Sequence, residues 1–122
     1  MVKVIVIDEQ PLLPKWLFED LSNQEYHISW TANVDDISED IKTFMPDIIL
    51  LDIHLEGFER WDILHRIKLE FPSIPVLIVS TYDNLAHDSR LAEADGYITK
   101  DIYTKEVENK MKELCTPINF EP

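Results

Sequence analysis

A chain of 122 residues, 45% hydrophobic and 29% charged, has the size and mixture of one globular domain with one core, able to bury roughly two-thirds of its unfolded surface. Lys and Arg total 11 against 24 Asp and Glu, a formal net charge of −13, which repels a phosphate backbone and argues against direct nucleic-acid binding. The single Cys115 excludes an internal disulfide and a thiolate metal cluster and suits a reducing compartment. The apolar run after Met1 is interrupted at Lys3 and ends at Asp8, so neither a signal peptide nor a membrane span is read, and a soluble cytoplasmic protein is expected.

Val2 to Ile7 is a short β-branched run closed by Asp8 and Glu9, the pattern of a strand buried on both faces of a parallel sheet. Pro11 suits a first helical turn, and Leu13, Trp16, Leu17 and Leu21 recur at helical spacing. Tyr26 to Thr31 reads as a second strand, and Val34, Ile37, Ile41 and Phe44 mark one face of a second helix, closed by Pro46. Asp47 to Asp52 repeats the first strand's grammar. A loop through Gly57 then leads to a third helix with Trp61, Leu64, Ile67 and Phe71 as its inner stripe. Pro75 to Ser80 is a fourth strand, Asp83 to Asp95 a weakly amphipathic fourth helix, and Gly96 to Thr99 a fifth strand. A last helix carries Val107, Met111 and Leu114, and Cys115 falls at its end. Five strands alternating with five helices predict an α/β domain over residues 1–115, a five-stranded parallel sheet with helices on both faces. Residues 116–122 read as a tail or the start of an interdomain linker.

In such sheets, functional groups collect beyond the carboxyl ends of the strands. Those ends carry Asp8 and Glu9 after strand one, Asp52 after strand three, Ser80 and Thr81 after strand four, and Lys100 after strand five. Each alone is an ordinary loop or capping residue; their joint placement is the signal. Three close carboxylates repel unless a cation sits among them. Mg²⁺ fits, because it takes oxygen ligands, commonly one or two carboxylates plus waters, and leaves room for a phosphate oxygen. Lys100 and Ser80 add a positive charge and a hydroxyl donor suited to a phosphoryl group in transfer. Read singly, Tyr97 is a packed strand aromatic and His54 a solvated loop residue, while His27, His65 and His87 lack acidic or cysteine partners at ligand spacing and read as surface residues.

From about Val2 to about Leu114 the sequence resembles the response-regulator receiver domain, the CheY-like branch of the flavodoxin-like (βα)5 folds. Ile5-Val6-Ile7-Asp8-Glu9-Gln10-Pro11-Leu12-Leu13 is similar to the strand-one end of the nitrate-response (NarL/FixJ-like, LuxR-type) subclass. Asp47-Ile48-Ile49-Leu50-Leu51-Asp52 resembles the phosphoacceptor strand, Pro75-Val76-Leu77-Ile78-Val79-Ser80 the hydroxyl-bearing strand, and Ala94-Asp95-Gly96-Tyr97-Ile98-Thr99-Lys100-Asp101 the end of the domain. The resemblance implies a two-component signalling switch rather than an enzyme. Asp52 would accept a phosphoryl group from a sensor histidine kinase. Glu9, Asp52 and the His54 backbone carbonyl would bind Mg²⁺, with Asp8 acting through water. Lys100 and Ser80 would contact the phosphoryl oxygens and Tyr97 would turn inward as the switch. It further implies a DNA-binding output domain beyond this chain and a homodimer through the fourth and fifth helices.

Two positions depart from the family's usual loop: Glu56 stands where Pro is common, adding charge near the metal site, and Arg60 stands where Gly is common. The segment from Ser80 to Gly96 is about two residues short. These departures keep a second reading open, a pseudo-receiver that binds partners without phosphorylation. A flavin domain of similar winding would want a phosphate-cradling loop after strand one, and neither of the two glycines, Gly57 and Gly96, stands there; an aspartyl phosphatase would want a second acid where Gln10 stands.

Overall fold

The computed structural model describes residues 2–9, 26–80, 83–99 and 104–115. The helix expected from Pro11 to Leu21, together with Thr81, Lys100 and the 116–122 tail, lies outside the described residues. Elements are numbered in chain order over what is described. They are β1 (Val2–Ile7), β2 (Tyr26–Thr31), α1 (Ile37–Phe44), β3 (Ile48–Leu51), β4 (His54–Leu55), β5 (Phe58–Glu59), α2 (Trp61–Glu70), β6 (Val76–Ser80), β7 (Gly96–Thr99) and α3 (Thr104–Cys115).

Five strands form one parallel sheet in the order β2-β1-β3-β6-β7. Because side chains alternate along a strand, the aliphatic runs split between two cores. Ile5, Ile7, Ile49, Leu51 and Ile78 face α1 and α2, meeting Ile37, Ile41, Leu64 and Ile67. Val4, Val6, Ile48, Leu50, Leu77 and Val79 face α3, meeting Val107 and Met111. Buried runs without polar alternation are thus what a sheet covered on both faces requires. Among the described residues no helix is long and apolar enough to cross a membrane.

Local chemistry sets the element ends. The Asn33 side chain accepts from the Asp35 backbone N–H at 3.0 Å and caps a 3-10 turn, Val34–Asp36, that runs into α1. Met45 ends α1 in the left-handed region at φ 53°, its N–H donating to the Ile41 carbonyl at 2.8 Å, and Lys3 Nζ donates to the Phe44 carbonyl at 3.2 Å. Asp95 fastens the start of β6: its Oδ2 accepts from the Val76 N–H at 2.8 Å and from Lys68 Nζ at 2.9 Å, and its own N–H donates to the Val76 carbonyl.

Two features differ from the sequence expectation. Asp83 to Asp95 is not an α-helix but two 3-10 turns, Asp83–His87 and Ser89–Glu93. Asp88 between them is extended, and its carboxylate accepts from the Arg90 N–H at 2.9 Å. An Asp that captures a backbone donor two residues on starts a new turn rather than continuing an old one. With only Leu85 fully buried and Leu91 partly so, packing does not override that choice. The loop after Asp52 is, moreover, a small antiparallel hairpin, β4 to β5, with Leu55 opposite Phe58. Its two central residues, Glu56 and Gly57, have φ 56° and 80°, as a tight primed turn requires. Proline cannot adopt that φ, so Glu56 belongs to a different loop path from the one Pro would give. Arg60, at φ −102°, sits in ordinary backbone and needs no glycine.

Candidate functional site

The sheet order reverses at β1, whose chain continues outward to β2 while β3 lies on its other side. The crevice beyond the carboxyl ends of β1 and β3 is the place where such sheets bind ligands. Ile7 is level with Leu51, so the next residues, Asp8 and Asp52, leave neighbouring strand ends together. Backbone pairing runs one residue past each strand: the Asp52 N–H donates to the Ile7 carbonyl at 2.9 Å and the Asp8 N–H to the Thr31 carbonyl at 3.1 Å. The Trp30 indole donates to the Asp8 carbonyl at 2.7 Å, so the Asp8 backbone is held on both its donor and its acceptor side.

Asp8 is 3% exposed and Asp52 7%. Carboxylates so far from water are costly without compensating charge or hydrogen bonds. The backbone supplies one, from the His54 N–H to Asp52 Oδ1 at 2.9 Å. Ser80 is fully buried at the end of β6, opposite Thr99 of β7, the residue that precedes Lys100 in the chain. Of the expected set, Asp8, Asp52 and Ser80 therefore come to one sheet edge. Glu9 follows Asp8 with its side chain exposed. Tyr97 is partly buried, level with Ile78, and packs on the core of the α1 and α2 face. Among the described residues no three His, Cys, Asp or Glu side chains gather as a metal cluster. Two buried carboxylates beside backbone carbonyls are nevertheless a donor set that fits a hard cation keeping several waters.

His54 is not a solvated loop residue. Half-buried on β4, its ring lies between two carboxylates, Nδ1 at 3.9 Å from Asp52 Oδ1 and Nε2 at 3.7 Å from Glu59 Oε2. The hairpin brings Glu59 there by placing it directly opposite His54. His65 likewise has an acidic partner, Glu93 Oε2 at 2.7 Å from Nδ1, across a sequence gap that no local spacing rule could bridge. Arg60 lies between Glu56 and Asp62, holding Asp62 through two 3.0 Å bonds. Glu56 charge is thus turned toward a guanidinium that is itself a departure from the family's loop. The guanidinium also holds the Asp62 carboxyl below the usual range.

A parallel sheet of this winding, with buried carboxylates at its switch point, defines a flavodoxin-like domain. Residues 4–112 match the response regulator receiver domain family, and the chain belongs to it. Over 105 residues it is 32% identical to a nitrate/nitrite response regulator protein homolog of Haemophilus influenzae, covering 82% of this chain and 50% of that protein. It is 27% identical over 117 residues to the probable transcriptional regulatory protein TcrX of Mycobacterium tuberculosis, covering 93% and 49%. The chain spans about half the length of the curated relatives it matches. Among solved structures, the response regulator TrrA of Thermotoga maritima in complex with Mg(2+)-BeF superposes with a TM-score of 0.82 at 23% identity, over 93% of this chain and 99% of that one. A LuxR-family DNA-binding response regulator of Staphylococcus aureus gives 0.80 at 20% identity, over 95% and 100%. The chain is a receiver domain of the two-component response regulator kind.

Proposed function

We propose that this domain is a phosphorylation switch in which Asp52 accepts a phosphoryl group in a Mg²⁺-dependent reaction. The observation that carries the reading is the burial of Asp8, Asp52 and Ser80 at one sheet edge in a chain of the receiver family. Mg²⁺, when bound, supplies positive charge against the phosphoryl oxygens and the acceptor carboxylate. Asp52 and Glu9, the His54 backbone carbonyl and, through water, Asp8 are the groups assigned to hold it. The TrrA structure, similar in fold and solved with Mg(2+)-BeF, supports that assignment.

Asp52 provides the nucleophilic oxygen, and the His54 N–H at 2.9 Å from Oδ1 orients the carboxylate. Ser80 offers a buried hydroxyl to the phosphate once formed, and Lys100, assigned from sequence alone, pairs with its oxygens. Phosphorylation adds up to about two negative charges, and Ser80 and Tyr97 are the residues proposed to answer it. The donor we infer is a phosphohistidine of a sensor histidine kinase; TrrA has been solved in complex with its histidine kinase ThkA. Residues 1–115 form the receiver and 116–122 a tail or linker, leading in the full protein to a DNA-binding output domain of the nitrate-response type. Dimerisation through the Asp83–Asp95 segment, expected as the fourth helix, and the last helix is proposed with it. The domain works in the cytoplasm as a phosphoacceptor, with no catalysis beyond its own phosphorylation from small donors and dephosphorylation.

The test is intact-mass measurement after incubation with Mg²⁺ and acetyl phosphate. One phosphoryl adduct is expected, absent from Asp52→Asn and from an EDTA control. A folded wild type that takes up nothing removes the reading and leaves the pseudo-receiver.

A further inference from the structure

The first acid of the site is tied to the neighbouring strand by a tryptophan. β2 stands at one end of the sheet order, and Trp30 on it is level with Val6 of β1. Burial alone does not account for a tryptophan there, since 47% of it stays exposed. Its indole reaches two residues past Val6, about 7 Å along the strand, and Nε1 donates to the Asp8 carbonyl at 2.7 Å, the short end of the ordinary range for such a bond.

The peptide planes on the two sides of the Asp8 Cα are held by different means. The Ile7–Asp8 plane belongs to the sheet: its carbonyl accepts from the Asp52 N–H at 2.9 Å and its N–H donates to the Thr31 carbonyl at 3.1 Å. The Asp8–Glu9 plane lies past the end of β1, and the Trp30 side chain holds its carbonyl. With both planes anchored, φ and ψ of Asp8 have little freedom. The direction in which Asp8 carries its carboxylate, and the point from which Glu9 starts, are thus set before any cation arrives. The donor's chemistry matters as much as its reach. An indole N–H is neutral and accepts nothing, so it fastens the acids without cancelling the charge that attracts a cation, as Lys or Arg in its place would.

We propose that Trp30 is a positioning residue of the Mg²⁺ site, fixing the Asp8–Glu9 peptide so that the two acids meet the metal already oriented. This role rests on the reading of Asp8, Glu9 and Asp52 as groups that hold Mg²⁺. Mg²⁺ demands near-ideal octahedral geometry, whereas Ca²⁺ accepts a looser set of oxygens. A loosened Asp8–Glu9 peptide therefore costs Mg²⁺ more than Ca²⁺, a signature that a loss of general stability does not produce.

The experiment is titration of the full chain with Mg²⁺ and, separately, Ca²⁺, followed by amide and indole NMR. The chains compared are wild type, Trp30→Phe and Trp30→3-benzothienylalanine, an isostere that keeps the two rings and lacks the N–H. Thermal unfolding verifies that each is folded at the temperature of titration, the isostere deciding if Trp30→Phe is not. In wild type the Asp8 and Asp52 amides and the Trp30 indole N–H are expected to shift along one Mg²⁺ binding curve. In the variants Mg²⁺ affinity is expected to fall about two- to tenfold, the range that one hydrogen bond is worth, with a smaller loss for Ca²⁺. Unchanged Mg²⁺ affinity in the folded variants, or equal losses for the two ions, overturns the positioning role and leaves the metal reading standing. A wild type whose Asp8 and Asp52 amides do not respond to Mg²⁺ overturns both.

Discussion

At the scale of single residues, backbone conformation and buried charge decide most. Met45 ends α1 at φ 53° with its side chain largely exposed, and a left-handed residue with a Cβ costs roughly 1–2 kcal/mol. Met45→Gly is therefore expected to stabilise the domain by about 0.5–1 kcal/mol once glycine's greater unfolded-state entropy is subtracted; urea unfolding reads this directly. Gly57 is the converse case. A Cβ there would meet nothing within 4 Å, yet φ is 80°, so Gly57→Ala should cost about 1–2 kcal/mol from backbone strain alone. A loss well above that would mean the hairpin itself had broken, visible as altered amide shifts at His54 and Glu59.

At the scale of elements, polar side chains hold the joints that apolar packing leaves open. Asp95 serves Val76, Lys68 and, by its backbone, the β6 to β7 connection. Asp95→Ala leaves the part-buried Val76 N–H without that acceptor, and an expected loss of about 1–3 kcal/mol follows, measured by denaturation with Asp95→Asn as the milder comparison. The Ser89–Glu93 turn depends on ionised Asp88. Its carboxyl is lowered by the Arg90 side-chain bonds and then by the Arg90 backbone N–H, from 3.8 to about 2. A lowered folded value means the cap is fully present above about pH 4 and is lost as pH falls from there through about 2. The Arg90 amide should track that titration, while Asp88→Asn should flatten it. At the end of α3 the sign is opposite. Burial, then the charge of Asp47, push the Cys115 thiol from 9.0 up to about 11, so the neutral thiol is favoured and its stabilisation fades only as pH rises from about 9 through about 11. Slow alkylation at pH 8, fast only after unfolding, is expected.

At the scale of the whole molecule, a net charge of −13 works against compaction, and buried Asp8 and Asp52 concentrate part of it at one edge. Stability should rise with NaCl as repulsion is screened, and rise further with Mg²⁺ at equal ionic strength. Asp52→Asn should remove most of that extra gain, read as the Mg²⁺-dependent shift of the thermal midpoint.

The same scales separate what the chain states locally from what it states only when folded. Strand positions, both core faces and the acids at the ends of β1 and β3 follow from the sequence. A β-branched run closed by an acid is a local pattern, and side-chain alternation then assigns each residue to a face. Ile63 lies beside the stripe of Trp61, Leu64 and Ile67 yet is fully buried in the same core, a burial that helical periodicity alone does not assign. The break of Asp83–Asp95 into two turns and the hairpin at Glu56-Gly57 were decided by contacts: Asp88 with Arg90, and β4 with β5. The placing of His54 between Asp52 and Glu59 and the bond from Trp30 to Asp8 have no sequence signature at all. Their members are ordinary residues, and they meet because a two-residue turn places Glu59 opposite His54 and because β2 lies beside β1 with Trp30 level with Val6.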